Sequence, residues 1–205
     1  MTDANVPPNR GGEPPSSLLV RVKAQEREAW YRLVQLYTPL VYSWCRRAGL
    51  QAADAGDVGQ EVFKAIWRKI HDFHRRGPED TFRGWLRVIA RHKIADFHRC
   101  RGNEVAGQAD SDGLTLVERA PASELLETDP DTESAEATLL YHQAIALIRN
   151  EFEEKTWLAF RTVVMDGRTP AEAACALGMT INAVHLAKSR VLKRLRQEFE
   201  DLIET

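Results

Sequence analysis

The sequence predicts an all-α protein of 205 residues: two small helical domains joined by an acidic linker. Three observations carry this. Apolar residues recur at threes and fours through both halves, and nowhere do they alternate long enough to make a strand. Between the halves, from Gly102 to Ala135, nine carboxylates face one arginine in a stretch that also holds Gly, Pro, Ser and Thr. Near the end, Thr169–Leu195 reads as two helices meeting at a tight turn.

Residues 1–16 are rich in Pro and Gly and almost free of large apolar groups, so they are expected to be a disordered lead-in. The first domain, 17–101, should begin near Leu18. Leu19, Val22, Ala29, Trp30, Leu33, Val34 and Tyr37 keep helical spacing. Pro39 is expected to interrupt or kink the path, since it has no N–H to give the ladder. Leu40, Val41, Trp44 and Cys45 then continue an apolar face to Gly49. A third helix starts near Asp54, a candidate N-cap, and carries Val58, Val62, Phe63, Ile66, Trp67 and Ile70. A polar loop from His71 to Thr81 contains the break Gly77-Pro78. The fourth helix, from about Thr81 to Cys100, should bury Phe82, Leu86, Ile89 and Phe97.

Residues 102–134 read as the linker, with a short helical turn around Leu125. The second domain, 135–205, opens with a helix from Ala135 holding Leu139, Ala144, Leu147 and Ile148. A further helix holds Trp157, Phe160, Val163 and Val164 and ends at Asp166-Gly167. Thr169 and Glu172 then form a capping box, with Pro170 at the first helical position. Gly178 sits where a helix stops in a left-handed turn, and Thr180 can cap the next helix. That second helix presents Asn182, His185, Lys188, Ser189, Arg190 and Lys193, in the manner of a helix-turn-helix laid in a DNA major groove. A packed helical hairpin would show the same turn.

The formal net charge of -2 conceals segregation. From Gln60 to Arg101 there are eleven basic residues against five acidic, and from Thr180 to Gln197 five against none. Two basic blocks around an acidic spacer suit a chain that grips a polyanion at two places; the alternative is solvated faces. Arg83, Arg87 and Arg91 lie four apart on the fourth helix, and His92, Lys93 and Arg99 widen the row. Such a row can track a phosphate backbone. In the preceding loop, Phe73, His74, Arg75 and Arg76 mix rings and cations, which suits unstacked bases, although Phe73 can equally close the core. Asp54, Asp57, Gln60 and Glu61 cluster at the start of the third helix. The helix dipole accounts for Asp54 and Asp57. Gln60 and Glu61 lie deeper, on the polar face, and suggest a protein partner.

No nucleotide-binding loop, nucleophile elbow or zinc-protease motif is present, so no catalytic residue is assigned and no enzyme is expected. Cys45, Cys100 and Cys175 are odd in number and widely spaced, so reduced thiols are expected, with no metal and no cofactor. No stretch resembles a signal peptide and no run of about 18 apolar residues occurs. A soluble, cytoplasmic, monomeric chain without membrane insertion is the expectation.

These segments together resemble a bacterial RNA polymerase sigma factor of the extracytoplasmic-function (ECF) type, a branch of the sigma-70 superfamily. D-A-G-D-V-G-Q-E-V-F-K-A-I-W (Asp54 to Trp67) is similar to the family's D-x-x-D-[LV]-x-Q-E-[VT]-F. Phe82 to Arg99 is similar to its F-x-x-W-L-x-x-I-A-x-N-x-x-x-D-x-x-R, with His92 in place of the Asn. Gly167 to Thr180 is similar to its G-x-[ST]-x-x-E-[IV]-A-x-x-L-G-[IM]-[ST]. The resemblance implies a four-helix sigma region 2 domain and a helix-turn-helix region 4 domain. It implies that Asp54, Asp57, Gln60, Glu61 and Phe63 dock on the clamp helices of the largest subunit of core RNA polymerase. It implies that the fourth helix and its preceding loop recognise and melt the minus-ten element, and that the helix-turn-helix, with Thr169 and Thr180 at its caps, reads the minus-thirty-five element. Partners would be core polymerase, promoter DNA both paired and melted, and an anti-sigma factor. The chain departs from the family's G-T-V-K-S-R opening of the recognition helix: His185, Leu186 and Ala187 stand where Lys, Ser and Arg are usual. The rival expectation is a helix-turn-helix regulator that never joins polymerase.

Overall fold

The structure, a computed structural model, describes residues 17–75, 77, 80–106 and 130–203. The lead-in 1–16, Arg76, the suggested turn at Leu125 and linker residues 107–129 lie outside the described residues. Eight α-helices are described: α1 (Leu18–Lys23), α2 (Arg27–Arg47), α3 (Ala52–Lys69), α4 (Phe82–Ala106), α5 (Pro130–Ile148), α6 (Glu154–Val164), α7 (Pro170–Leu177) and α8 (Ile181–Phe199). No strand occurs among the described residues.

α1 and α2 are separated by a turn in which Gln25 takes a positive φ of 59°. α2 then runs unbroken through Pro39, contrary to the expected interruption. Its buried face, Leu33, Leu36, Tyr37, Leu40, Val41 and Trp44, lies on both sides of the proline, so packing holds the axis together where one backbone bond is missing. α3 buries Ala55, Val58, Val62 and Ile66 and leaves its opposite face in water. It starts at Ala52, with Gln51 at the cap, so Asp54 is not the N-cap. Asp54 instead accepts from Arg101 at 2.9 Å, tying the start of α3 to α4.

α5 begins at Pro130, five residues before the expected Ala135, and the linker is correspondingly shorter. Proline at a first helical position suits that start. The early start puts Glu133 on a helix rather than in the linker, on the same helix as Glu136. The two predicted domains share one buried cluster, which includes Leu33, Trp44 and Phe82 together with Leu140, Phe160, Leu195 and Phe199. The Tyr37 hydroxyl donates to the Leu202 carbonyl at 2.8 Å, and Ser17 donates to Asp201 at 2.6 Å. Buried Glu198 pairs with Arg21, Arg32 and Arg194 at 3.5, 3.1 and 2.7 Å. A second, smaller cluster of Ala159, Ala173, Ala174, Val184 and Ala187 sits beneath α7 and α8. Small residues there let the two helices approach closely.

Candidate nucleic-acid interface

The α7–α8 pair forms as its sequence prescribes. The Glu172 N–H donates to the Thr169 hydroxyl at 3.3 Å, and the Thr169 N–H donates to the Glu172 carboxylate at 2.8 Å. The Thr169 N–H and hydroxyl, each donating to the Glu172 carboxylate at 2.8 Å, hold it below the usual carboxylate range. Gly178 closes α7 with φ 58°, a left-handed conformation that a side chain would strain. Thr180 accepts from the Ala183 N–H at 3.1 Å and starts α8. Val184, Ala187 and Val191 face the core, which turns Asn182, His185, Ser189, Arg190 and Lys193 outward, with Lys188 half-buried at the margin.

α4 differs from the expected cationic row. Arg83, Arg87 and Arg91 do share one side of the helix, but α5 covers the first two. Arg83 is only 6% exposed and donates to the Glu133 carboxylate at 3.1 Å and to its carbonyl at 3.2 Å. Arg87 pairs with Glu136, which also pairs with Arg47 and accepts from Trp44 Nε1 at 2.7 Å. Glu136 is 4% exposed, so one buried carboxylate gathers two guanidinium groups and an indole. Arg91 is half-buried, whereas His92 and Arg99 stand in water, Arg99 beside Asp96 at 3.2 Å. Sequence reasoning did not single out Glu133 or Glu136; Pro130 opening a helix is the signal that would have placed Glu133, whereas Glu136 lies inside the helix expected from Ala135.

The loop before α4 divides its residues between core and surface. Phe73 is buried, its ring edge-on to Phe82 at 5.2 Å and tilted against Trp85 at 5.3 Å, and its carbonyl accepts from Lys23 at 2.6 Å. It therefore closes the core and is not presented to a base, as the sequence allowed. His74 and Arg75 are exposed, with His74 Nδ1 2.9 Å from the Asp72 carbonyl. A cleft of about 370 Å³ opens here, lined by Asp72, His74, Asp80, Thr81, Trp85 and Val88.

On α3, Asp57, Gln60 and Glu61 are exposed and Phe63 is half-buried. Lys64 donates to Glu61 at 2.7 Å, and this bond and charge hold the Glu61 carboxyl below its usual range. Beside them Trp67 is 41% exposed and meets Trp30 edge-on at 4.8 Å. Trp30, Val34, Gln60, Phe63 and Trp67 line a largely apolar groove of about 580 Å³. Trp30 and Trp67 were read from the sequence only as core.

The sigma-70 region 2 family model matches residues 33–104 of this chain. The chain is 31% identical over 194 residues to the ECF RNA polymerase sigma factor SigD of Mycobacterium tuberculosis (strain H37Rv), covering 91% of this chain and 84% of that one. It is 28% identical over 185 residues to the ECF RNA polymerase sigma factor BldN of Streptomyces coelicolor, covering 90% and 65%. A solved structure of CnrH in complex with the cytosolic domain of CnrY is similar at 21% identity, with a TM-score of 0.35 over 87% of this chain and 92% of that one.

Proposed function

The chain belongs to the extracytoplasmic-function sigma factors of RNA polymerase, which serve transcription initiation, and from that premise we propose which of its faces does which part of the work. The α3 face carrying Asp57, Gln60, Glu61, Phe63 and Trp67 docks on the clamp helices of core polymerase, with Asp54 holding the start of α3 to α4. The observation that carries this is a helix whose core side is complete with Val58, Val62 and Ile66, yet whose far side still offers a largely apolar groove rimmed by the Gln60 amide, Lys64 and Arg68, with Asp57 and Glu61 exposed on the same helix. A regulator that never joined polymerase would leave that groove without a use.

The cleft beside His74 and Arg75 takes an unstacked base of the minus-ten element, with Trp85 as its flat apolar wall. Arg91, His92 and Arg99 face the neighbouring backbone. Arg83 and Arg87 join them only when α5 leaves α4, so the compact form is a resting form and promoter binding follows its opening. The α8 face reads the minus-thirty-five element. Each site alone makes few phosphate contacts, and polymerase couples them by raising effective concentration. An anti-sigma factor that holds the compact form is a fitting further partner. No catalytic step falls to the chain. Replacing Gln60 and Glu61 with Ala and measuring retention on immobilised core polymerase tests the docking face. Loss of retention with an unchanged melting curve supports it; full retention rejects it.

A further inference from the structure

On α8, Asn182, Leu186 and Arg190 stand four residues apart and form one outward row, each a turn beyond the last. Leu186 is 50% exposed, although Val184, Ala187 and Val191 on the same helix are sealed in the core. Single exposed leucines are ordinary on protein surfaces. The position of this one is not. It lies at the centre of a row whose other members are an amide and a guanidinium, with His185 and Ser189 beside it. Ile181 is equally exposed but sits five residues earlier, off the row.

The surroundings say what Leu186 meets. From Thr180 to Gln197 there are five basic residues and no carboxylate, so the face suits a polyanion. In the DNA major groove the apolar feature a side chain can meet is the C5-methyl of thymine, while amide and guanidinium match the edges of adenine and guanine. Resting on the reading of α8 as the upstream promoter reader, we propose that Leu186 is a specificity-determining residue that packs on a thymine methyl in that element. Asn182 and Arg190 flank it as hydrogen-bonding readers. The chain thus recognises one base pair by apolar contact.

The test uses the full chain with core polymerase. Start-site mapping on random templates first defines the upstream element. Each thymine in it is then replaced by uracil, which keeps base pairing and removes only the methyl, and promoter affinity is measured. Loss of one methyl contact predicts about a fourfold weakening at one or two positions. Leu186→Ala should weaken thymine templates comparably and be indifferent to uracil there, while Leu186→Met restores part of the preference. The half-exposed site makes misfolding a small concern, and the uracil scan on the unaltered chain needs no variant. Uracil tolerated at every position overturns the proposal. So does an upstream element without thymine, or an unchanged uracil penalty in Leu186→Ala. If the unaltered chain selects no start on any template, the sigma assignment itself fails and this inference falls with it; selective initiation without a methyl effect removes only the role of Leu186.

Discussion

Replacing Glu136 with Ala removes the acceptor at the centre of the contact between α5, α2 and α4. The side chain is 5% exposed and serves Trp44 Nε1, Arg47 and Arg87 together. Leaving the buried indole N–H unsatisfied costs about 1–3 kcal/mol. Removing one partner of a buried ion pair typically costs about 3–5 kcal/mol more. Arg47 is 41% exposed and Arg87 18%, so water recovers much of that second loss. The expected destabilisation is about 3 kcal/mol, a fall in melting temperature of roughly 6–12 °C for a chain of this size. Urea titration followed by tryptophan fluorescence and calorimetry reads both. Glu136→Gln keeps an acceptor for Trp44 but not the charge, and should fall between. Free Glu136→Ala should also bind promoter DNA more tightly than the unaltered chain, with a steeper salt dependence, because Arg87 and Arg47 lose the carboxylate that neutralises them. A stability within about 0.5 kcal/mol of the unaltered protein, the spread of ordinary surface substitutions, refutes the reasoning.

Other outcomes follow from local geometry. Burial pushes the Cys45 thiol up to about 11, whereas Cys100 and Cys175 are exposed, so a thiol reagent near neutral pH should label those two quickly and Cys45 only on unfolding. Thr169→Ala removes the cap of α7 and should cost about 1 kcal/mol in urea denaturation. The Glu172 carboxyl is lowered in the folded chain, so its contribution is present above the unfolded value of about 4.3 and is lost as pH falls through the lower folded value. Glu172→Gln should flatten the acid limb of the melting-temperature profile. Gly178→Ala finds open space around the added carbon but must adopt φ 58°, and should lose about 1–2 kcal/mol by the same titration.

What could be read from the sequence was what is encoded within a few residues. The α7–α8 turn was legible because Thr169, Glu172, Gly178 and Thr180 each act on a backbone group at most a few positions away. The amphipathic α3 was legible because Val58, Val62 and Ile66 repeat at one turn. Pro39 does not interrupt α2 because the residues the helix buries lie on both sides of it, and what they pack against is not written in the local sequence. The paired state of Arg83 and Arg87 was hidden because their partners lie about fifty residues on, Glu133 in a stretch whose acidic composition looks like linker and Glu136 at the expected start of the next helix. Periodicity placed Trp30 and Trp67 on an apolar face but could not show that the face extends past the core into an open groove.

The most direct test is run-off transcription with core RNA polymerase on a broad set of templates, with and without the purified chain, followed by start-site mapping. The account predicts discrete new starts sharing an upstream element, and their loss when the Gln60 and Glu61 variant replaces the unaltered chain. Starts identical to those of core polymerase alone would contradict it.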